Sequence, residues 1–374
     1  MGFVLNIGIV LSIFLGILLF SKKNKVLTDN LLAVWLFVIG IHLTGYFLFY
    51  KGYWEIYPDL IGVTAPLPFL YGPFLYLYVL YSIKSESSLR KIDYLHFAPT
   101  LMSYLLMSHF FFFYSAKEKV QVYKGAMDDY NGTLATIMLV GFIISGISYT
   151  ILAYRKLIKR EKVVKENFSD TSRINLRWLR YTIIGIGLFF IVGTIVSVLR
   201  EVIGFQFPFN ADILFYSILV GFIVFIGYSG IRQQDLFTSA NIKERELVKT
   251  ESEYKKSSLK VEVANDKHQE LLDFMEREKP YLNNKLTISE LAEELSLSTN
   301  HLSQIINQYE QVNFHDFINK YRVEEFILKA QEDTSFSLLG LAYDSGFNSK
   351  STFNTVFKKF KSLTPSQYIS KLKK

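Results

Sequence analysis

The chain contains no cysteine in its 374 residues. That absence excludes a disulfide framework, a thiolate metal centre and a cysteine nucleophile. A Gly-rich phosphate loop, a metal-ligand cluster and a nucleophile–base pair are also lacking. No enzyme is therefore expected, and no cofactor or metal site is assigned. Acidic residues are missing altogether from residues 345–374, where seven lysines give a net charge of +7. The preceding segment, 281–344, carries four basic groups against ten acidic ones. The formal net charge of the whole chain is also +7. It favours anionic partners, nucleic acid or lipid headgroups, without choosing between them.

What abounds is apolar. Half of the residues are hydrophobic and 33 are Phe, rich for a soluble protein of this size. The length allows two or more domains. Seven apolar stretches lie near 2–20, 30–50, 60–82, 94–114, 134–154, 181–199 and 211–231. Each can cross a bilayer core, which takes roughly 20 helical residues. Pro66, Pro68 and Pro73 interrupt the third stretch, which is read as a kinked span because neighbouring helices can satisfy the freed carbonyls. Trp35, Tyr50, Tyr53, Trp54, Trp178 and Tyr181 gather near span ends, as interfacial aromatics do.

Loops one, three and five hold fifteen Lys and Arg; loops two, four and six hold five. That bias places the N-terminus outside and, after seven crossings, the C-terminus in the cytoplasm, with the chain in the cytoplasmic (inner) membrane. The first stretch has no basic residue ahead of its apolar run and no clear small-residue cleavage site. It is expected to remain as a helix and not to act as a cleaved signal peptide. Polar groups in or beside the spans include Asn6, His42, His96, His109, Arg200, Glu201, Asn210 and Asp212. Most sit at predicted ends, where they are wet. His42 lies deepest and is the candidate contact for an unknown signal ligand or membrane partner, the alternative being a hydrogen-bonded packing role. Gly141, Gly146, Gly185, Gly187 and Gly193 read as points of close helix packing.

Between 233 and 279 hydrophobicity collapses and charge dominates. Leu247, Tyr254, Val261, His268 and Met275 recur every seven residues, but Glu251, Ser258 and Asn265 occupy the other seam positions. This is a weak coiled coil that could pair two protomers as a homodimer, or a solvated tether with a helical second half. His268, in DKHQELLDF, invites comparison with a sensor-kinase phosphoacceptor. No ATP-binding domain follows it, so that reading fails on missing parts.

From Pro280 onward the pattern changes to short amphipathic helices. Thr287 and Glu290 have capping-box spacing, ahead of Leu291, Ala292 and Leu295. Ser298 can cap a second helix that buries Leu302, Ile305 and Ile306 and leaves Asn300, Ser303, Gln304 and Asn307 outside. That is a helix-turn-helix, whose second helix enters the major groove. A longer helix from Phe314 to about Gln331 follows. The design then repeats: a helix with Leu338, Leu341 and Ala342, a stop at Gly346, and a helix to Phe360 opened by Ser349 or Lys350. Thr364-Pro365 starts a closing helix.

The segments ISELAEELSLSTNHLSQIIN and FINKYRVEEF, with LAYDSGFNSKSTFNTVFKKF and TPSQY, closely resemble the AraC/XylS family of bacterial transcription regulators. The resemblance covers about 95 residues, and the chain looks like the membrane-bound variants of that family. It implies double-stranded DNA as partner and two helix-turn-helix units, joined by one helix, on adjacent groove segments. Carried over by position, the base-reading residues are Asn300, Ser303 and Gln304 in the first unit and Lys350, Ser351, Asn354 and Thr355 in the second. The family often has Gly after each reading helix, where this chain has Glu310-Gln311 and Ser362; a non-Gly residue in a left-handed turn is strained. The charge distribution makes Lys358, Lys359 and Lys361 the leading phosphate contacts.

The expected architecture is all-α: a seven-helix transmembrane sensor domain over 1–232, a cytoplasmic helical linker over 233–279 and a soluble double helix-turn-helix domain over 280–374. The expected function is a membrane-anchored, sequence-specific transcription regulator. The alternative is a membrane receptor or transporter whose C-terminal helices bind a protein partner.

Overall fold

In this computed structural model the described residues are 1–84, 86–124, 131–170, 176–232, 261–332 and 336–372. Among them there is no strand, only an isolated β-bridge between Phe168 and Thr287. The chain divides into two compact units: Met1–Leu157 with Arg177–Thr250, and Ile158–Leu176 with Glu251–Lys374.

The first unit is built from α1 (Gly2–Phe20), α2 (Leu27–Tyr50), the short α3 (Tyr53–Ile56), α4 (Tyr71–Ile83), α5 (Ala98–Leu106), α6 (Ser108–Phe113), α7 (Ala116–Tyr123), most of α8 (Asn131–Asn167), α9 (Arg177–Ser197) and α10 (Asp212–Arg232). Among the described residues five helices, α1, α2, α8, α9 and α10, are long and apolar enough to cross a membrane. Seven were expected, and the third and fourth stretches account for the difference. In the third, Pro66 and Pro68 confine Leu67–Leu70 to a 3-10 turn, and α4 adds only 13 residues. Proline removes an N–H donor and disfavours helical backbone before it, so helical structure there begins only at Leu67 and the apolar helix, Leu67–Ile83, stays short. The fourth stretch begins as a 3-10 turn, Lys91–Phe97, and then divides into α5 and α6. At that division the Ser108 hydroxyl donates to the Leu105 carbonyl (2.7 Å), a local bond that competes with the helical ladder.

The outward faces of the long helices are apolar. Ile184, Leu188, Ile191 and Ile195 are exposed along α9, and Ile137, Val140, Ile144, Ile147 and Ile151 along α8. In water such a stripe would face inward; here the interior is already filled, by Ile183, Ile186 and Phe189 of α9 among others. Outward apolar stripes suit lipid and suggest membrane association. Inside, Trp35 stacks on Phe74 at a centroid distance of 6.2 Å. The Phe190 ring lies where a side chain at Gly146 would stand, and the Phe215 ring does the same at Gly193. Small residues here let helices approach closely.

The second unit holds α11 (Val261–Arg277), α12 (Ile288–Glu294), α13 (Thr299–Ile305), α14 (Phe314–Glu332), α15 (Leu338–Asp344), α16 (Lys350–Lys361) and α17 (Pro365–Leu372), together with the end of α8. Two cores form around α14. Phe314, Phe317 and Ile318 join Leu291, Leu302 and Ile305 in the first. Val323, Phe326 and Ile327 join Leu341, Phe353 and Phe357 in the second.

The later part of the seven-residue stripe goes into the first core. Leu271 and Met275 of α11 are fully buried there, and the His268 ring stacks on Tyr309 at 4.6 Å with Nε2 3.0 Å from Glu310 Oε1. Those side chains are thus engaged within the chain. Leu247, Glu251, Tyr254 and Ser258 lie outside the described residues.

Candidate nucleic-acid interface

Each short helix of the second unit begins at a side-chain cap. The Glu290 amide donates to Thr287 Oγ1 (3.2 Å) and the Thr287 amide to Glu290 Oε2 (2.8 Å), the reciprocal pair expected from spacing. Ser298 accepts from the His301 amide at 3.2 Å and so starts α13. Ser337 and Ser349 do the same for α15 and α16, accepting from Gly340 and Thr352, each at 3.1 Å. Such caps satisfy amides that would otherwise be orphaned.

Burial of apolar side chains sets which face α13 and α16 turn outward. On α13, Leu302 and Ile305 are buried, while Asn300 and Gln304 are exposed and Ser303 half-buried. Asn307 holds Ser303 through its side-chain amide, which donates to the Ser303 carbonyl at 2.8 Å. On α16, Phe353, Val356 and Phe357 face the core, and Lys350, Ser351, Asn354 and Thr355 are exposed. The Thr355 hydroxyl donates to the Ser351 carbonyl (2.9 Å). An open depression is lined by Lys350, Asn354, Thr355, Lys358, Lys359, Thr364, Pro365 and Ser366. Thr364 and Ser366 join this surface although the sequence analysis assigns them no contact role.

The three candidate phosphate lysines differ. Lys359 donates to Asp316 Oδ2 and Lys361 to Glu324 Oε1, each at 2.6 Å, so both are held by the acidic face of α14. Lys358 is exposed and lines the depression together with Lys350 and Lys359. Burial opposes ionisation of Asp316, but hydrogen bonds from His315 and Lys359 outweigh it and hold the carboxyl below the usual range.

Among the described residues four non-Gly residues have positive φ. Gln311 (φ 56°) and Ser362 (φ 57°), beyond α13 and α16, stand where left-handed turns were anticipated, whereas Lys279 (φ 46°) and Ser296 (φ 52°) were not anticipated. Between α15 and α16 the turn is made by Gly346 (φ 90°), where a side chain would strike the Tyr281 carbonyl and crowd Arg322 Nε.

In the first unit His42 is buried between α2, α4 and α10. Its Nδ1 is 2.7 Å from the Tyr71 hydroxyl and its Nε2 3.3 Å from that of Tyr216. Each ring nitrogen thus has a tyrosine hydroxyl beside it.

Residues 291–371 match a family described as a helix-turn-helix domain. An uncharacterized HTH-type transcriptional regulator of Staphylococcus aureus (strain COL) is 33% identical over 104 residues, 28% of this chain and 13% of that protein. A counterpart in strain MRSA252 is 32% identical over the same length. The melibiose operon regulatory protein of Escherichia coli (strain K12) is 31% identical over 83 residues, 22% of this chain and 27% of that protein. These matches span less than a third of each relative's length. No solved structure matches the chain. The caps, the paired cores and these similarities agree that the C-terminal segment is a helix-turn-helix domain of the AraC type.

Proposed function

We propose that the chain is a membrane-anchored transcription regulator that binds double-stranded DNA in a sequence-specific manner and couples a membrane or extracellular cue to gene expression. The observation that carries this reading is the outward face of α16: Lys350, Ser351, Asn354 and Thr355 stand exposed on a capped helix with an apolar back. Asn can pair bidentately with adenine, and Lys with guanine or phosphate. Asn300, Ser303 and Gln304 offer the matching surface on α13. Lys350 and Lys358 supply the first phosphate attraction, and Lys359 and Lys361 join by exchanging their carboxylates for phosphate.

The five long apolar helices support membrane anchoring. The Lys and Arg bias supports an outside N-terminus and a cytoplasmic DNA-binding segment in the inner membrane. Withdrawing the third and fourth spans as a pair leaves the sides of the remaining helices unchanged and reduces the bias to twelve Lys and Arg inside against eight outside. A cue that draws Tyr71 or Tyr216 away from His42 would rearrange α2, α4 and α10 together, which is why we place cue sensing there. Pairing of two copies would be an additional property.

The test is retardation of DNA fragments by the full chain in lipid nanodiscs over a range of salt. Binding that weakens steeply with salt supports the reading; absent or salt-insensitive binding overturns it. Protease shaving of intact cells that removes the C-terminal residues would overturn the orientation.

A further inference from the structure

We infer that Phe168–Asp170, the segment directly after α8, is a docking peptide for the DNA-reading module, and that its seating clasps both helix-turn-helix units in their DNA-binding arrangement. The inference rests on the regulator reading above and names the element through which the apolar helices act. Ser169 is fully buried, whereas a serine in a connection between two helices ordinarily faces water. Its amide donates to the Leu286 carbonyl (3.2 Å) and its hydroxyl to the same carbonyl (2.6 Å). Its own carbonyl accepts from Asn319 Nδ2 at 3.0 Å.

The socket is organised around Arg322, only 1% exposed. Its guanidinium donates to the Tyr281 carbonyl (2.7 Å), the Asn283 carbonyl (2.8 Å), Asn319 Oδ1 (3.3 Å), Ser169 Oγ (3.0 Å) and the Ser169 carbonyl (3.3 Å). These five acceptors are neutral carbonyl, amide and hydroxyl oxygens. Burial pushes the guanidinium down to about 10, and the charge of Asp170 nearby opposes that shift. A buried guanidinium is tolerated only when its donors are used, and two of the five acceptors belong to the docking peptide.

The peptide touches each part of the module. Phe168 bridges Thr287, the cap of α12. Ser169 is held by Asn319 and Arg322 of α14. Asp170 accepts from Asn348 Nδ2 at 3.0 Å, one residue before the cap of α16. At Gly346, in the same turn, a side chain would crowd Arg322 Nε. One short segment therefore fastens the first helix-turn-helix, the connecting helix α14 and the turn that leads into α16. Two units that must meet adjacent groove segments together bind best when their relation is set beforehand. The peptide is carried by α8, whose residues count with the apolar unit as far as Leu157 and with the DNA-reading unit from Ile158.

The test uses the full chain in lipid nanodiscs and a duplex selected by the wild type from a random library. Ser169→Ala combined with Asp170→Ala is expected to weaken binding about tenfold at fixed salt, as loss of a few buried, charge-assisted bonds would. Because the chain has no cysteine, Asp170→Cys with Asn348→Cys creates a unique pair, which a short bifunctional thiol reagent should join in native membranes. Absence of that cross-link overturns the clasp, even if the first variant fails to fold. A cross-link accompanied by unchanged affinity of the Ala variant overturns its role in binding. A wild type that retards no DNA overturns the regulator reading instead, and the proposed effect of the clasp with it.

Discussion

Ser362 and Gly346 sit in left-handed turns that flank the same helix, and only one of them is glycine. A side chain in that conformation costs roughly 1–2 kcal/mol, partly offset in the unfolded state when glycine replaces it. Ser362→Gly should therefore raise stability by about 0.5–1 kcal/mol, read as a higher urea midpoint at unchanged slope. Gly346→Ala should do the reverse by more than about 1 kcal/mol, because the methyl group meets the Tyr281 backbone as well as a strained φ. At the proposed reading face, Asn354→Ala should relax discrimination at one base pair, a loss of about 1–3 kcal/mol, with little change in non-specific binding. Competition between duplexes that differ at single positions would measure it.

At the scale of elements, α14 meets the lysines of α16 through Asp316 and Glu324. Lys359 must release Asp316 before it can reach a phosphate, whereas Lys358 need not. Lys358→Ala should thus lower the slope of log K against log salt by about 0.9, and Lys359→Ala by less. The same ion pair responds to acid. The carboxyl of Asp316 is held below its ordinary value in the folded chain, so its contribution is complete above the unfolded value of about 4 and is lost as pH falls through the folded one. Asp316→Asn should narrow the gap between urea midpoints at pH 7 and pH 3; an unchanged gap would show that the pair contributes nothing.

For the whole molecule, local features were the most legible. Thr287 with Glu290, Ser298 and Ser349 are caps that can be read within four residues, and each is a cap in the fold. Gln311 and Ser362 stood out because glycine was expected there, and both are left-handed. Hydrophobic length overstated the spans, because a stretch with Pro66, Pro68 and Pro73 is apolar without being one helix. Hydrogen bonding within the fourth stretch was equally hidden. Charge totals did not separate Lys358 from Lys359, since only folding brings Asp316, 43 positions away, to the latter. Ser169 left no trace at all: its partners lie 117 to 153 positions along the chain, and a serine between two helices has no pattern that marks it as interior.

Sharing α14 between two cores ties the fates of both halves of the reader. A polypeptide stopped at Glu332 would keep Val323, Phe326 and Ile327 on a helix with nothing to cover them, an oily flank that invites self-association. Heating should melt the pair in one step, with calorimetric and van't Hoff enthalpies in agreement for this region, so that evolution could exchange one half for another only by re-tailoring the helix between them.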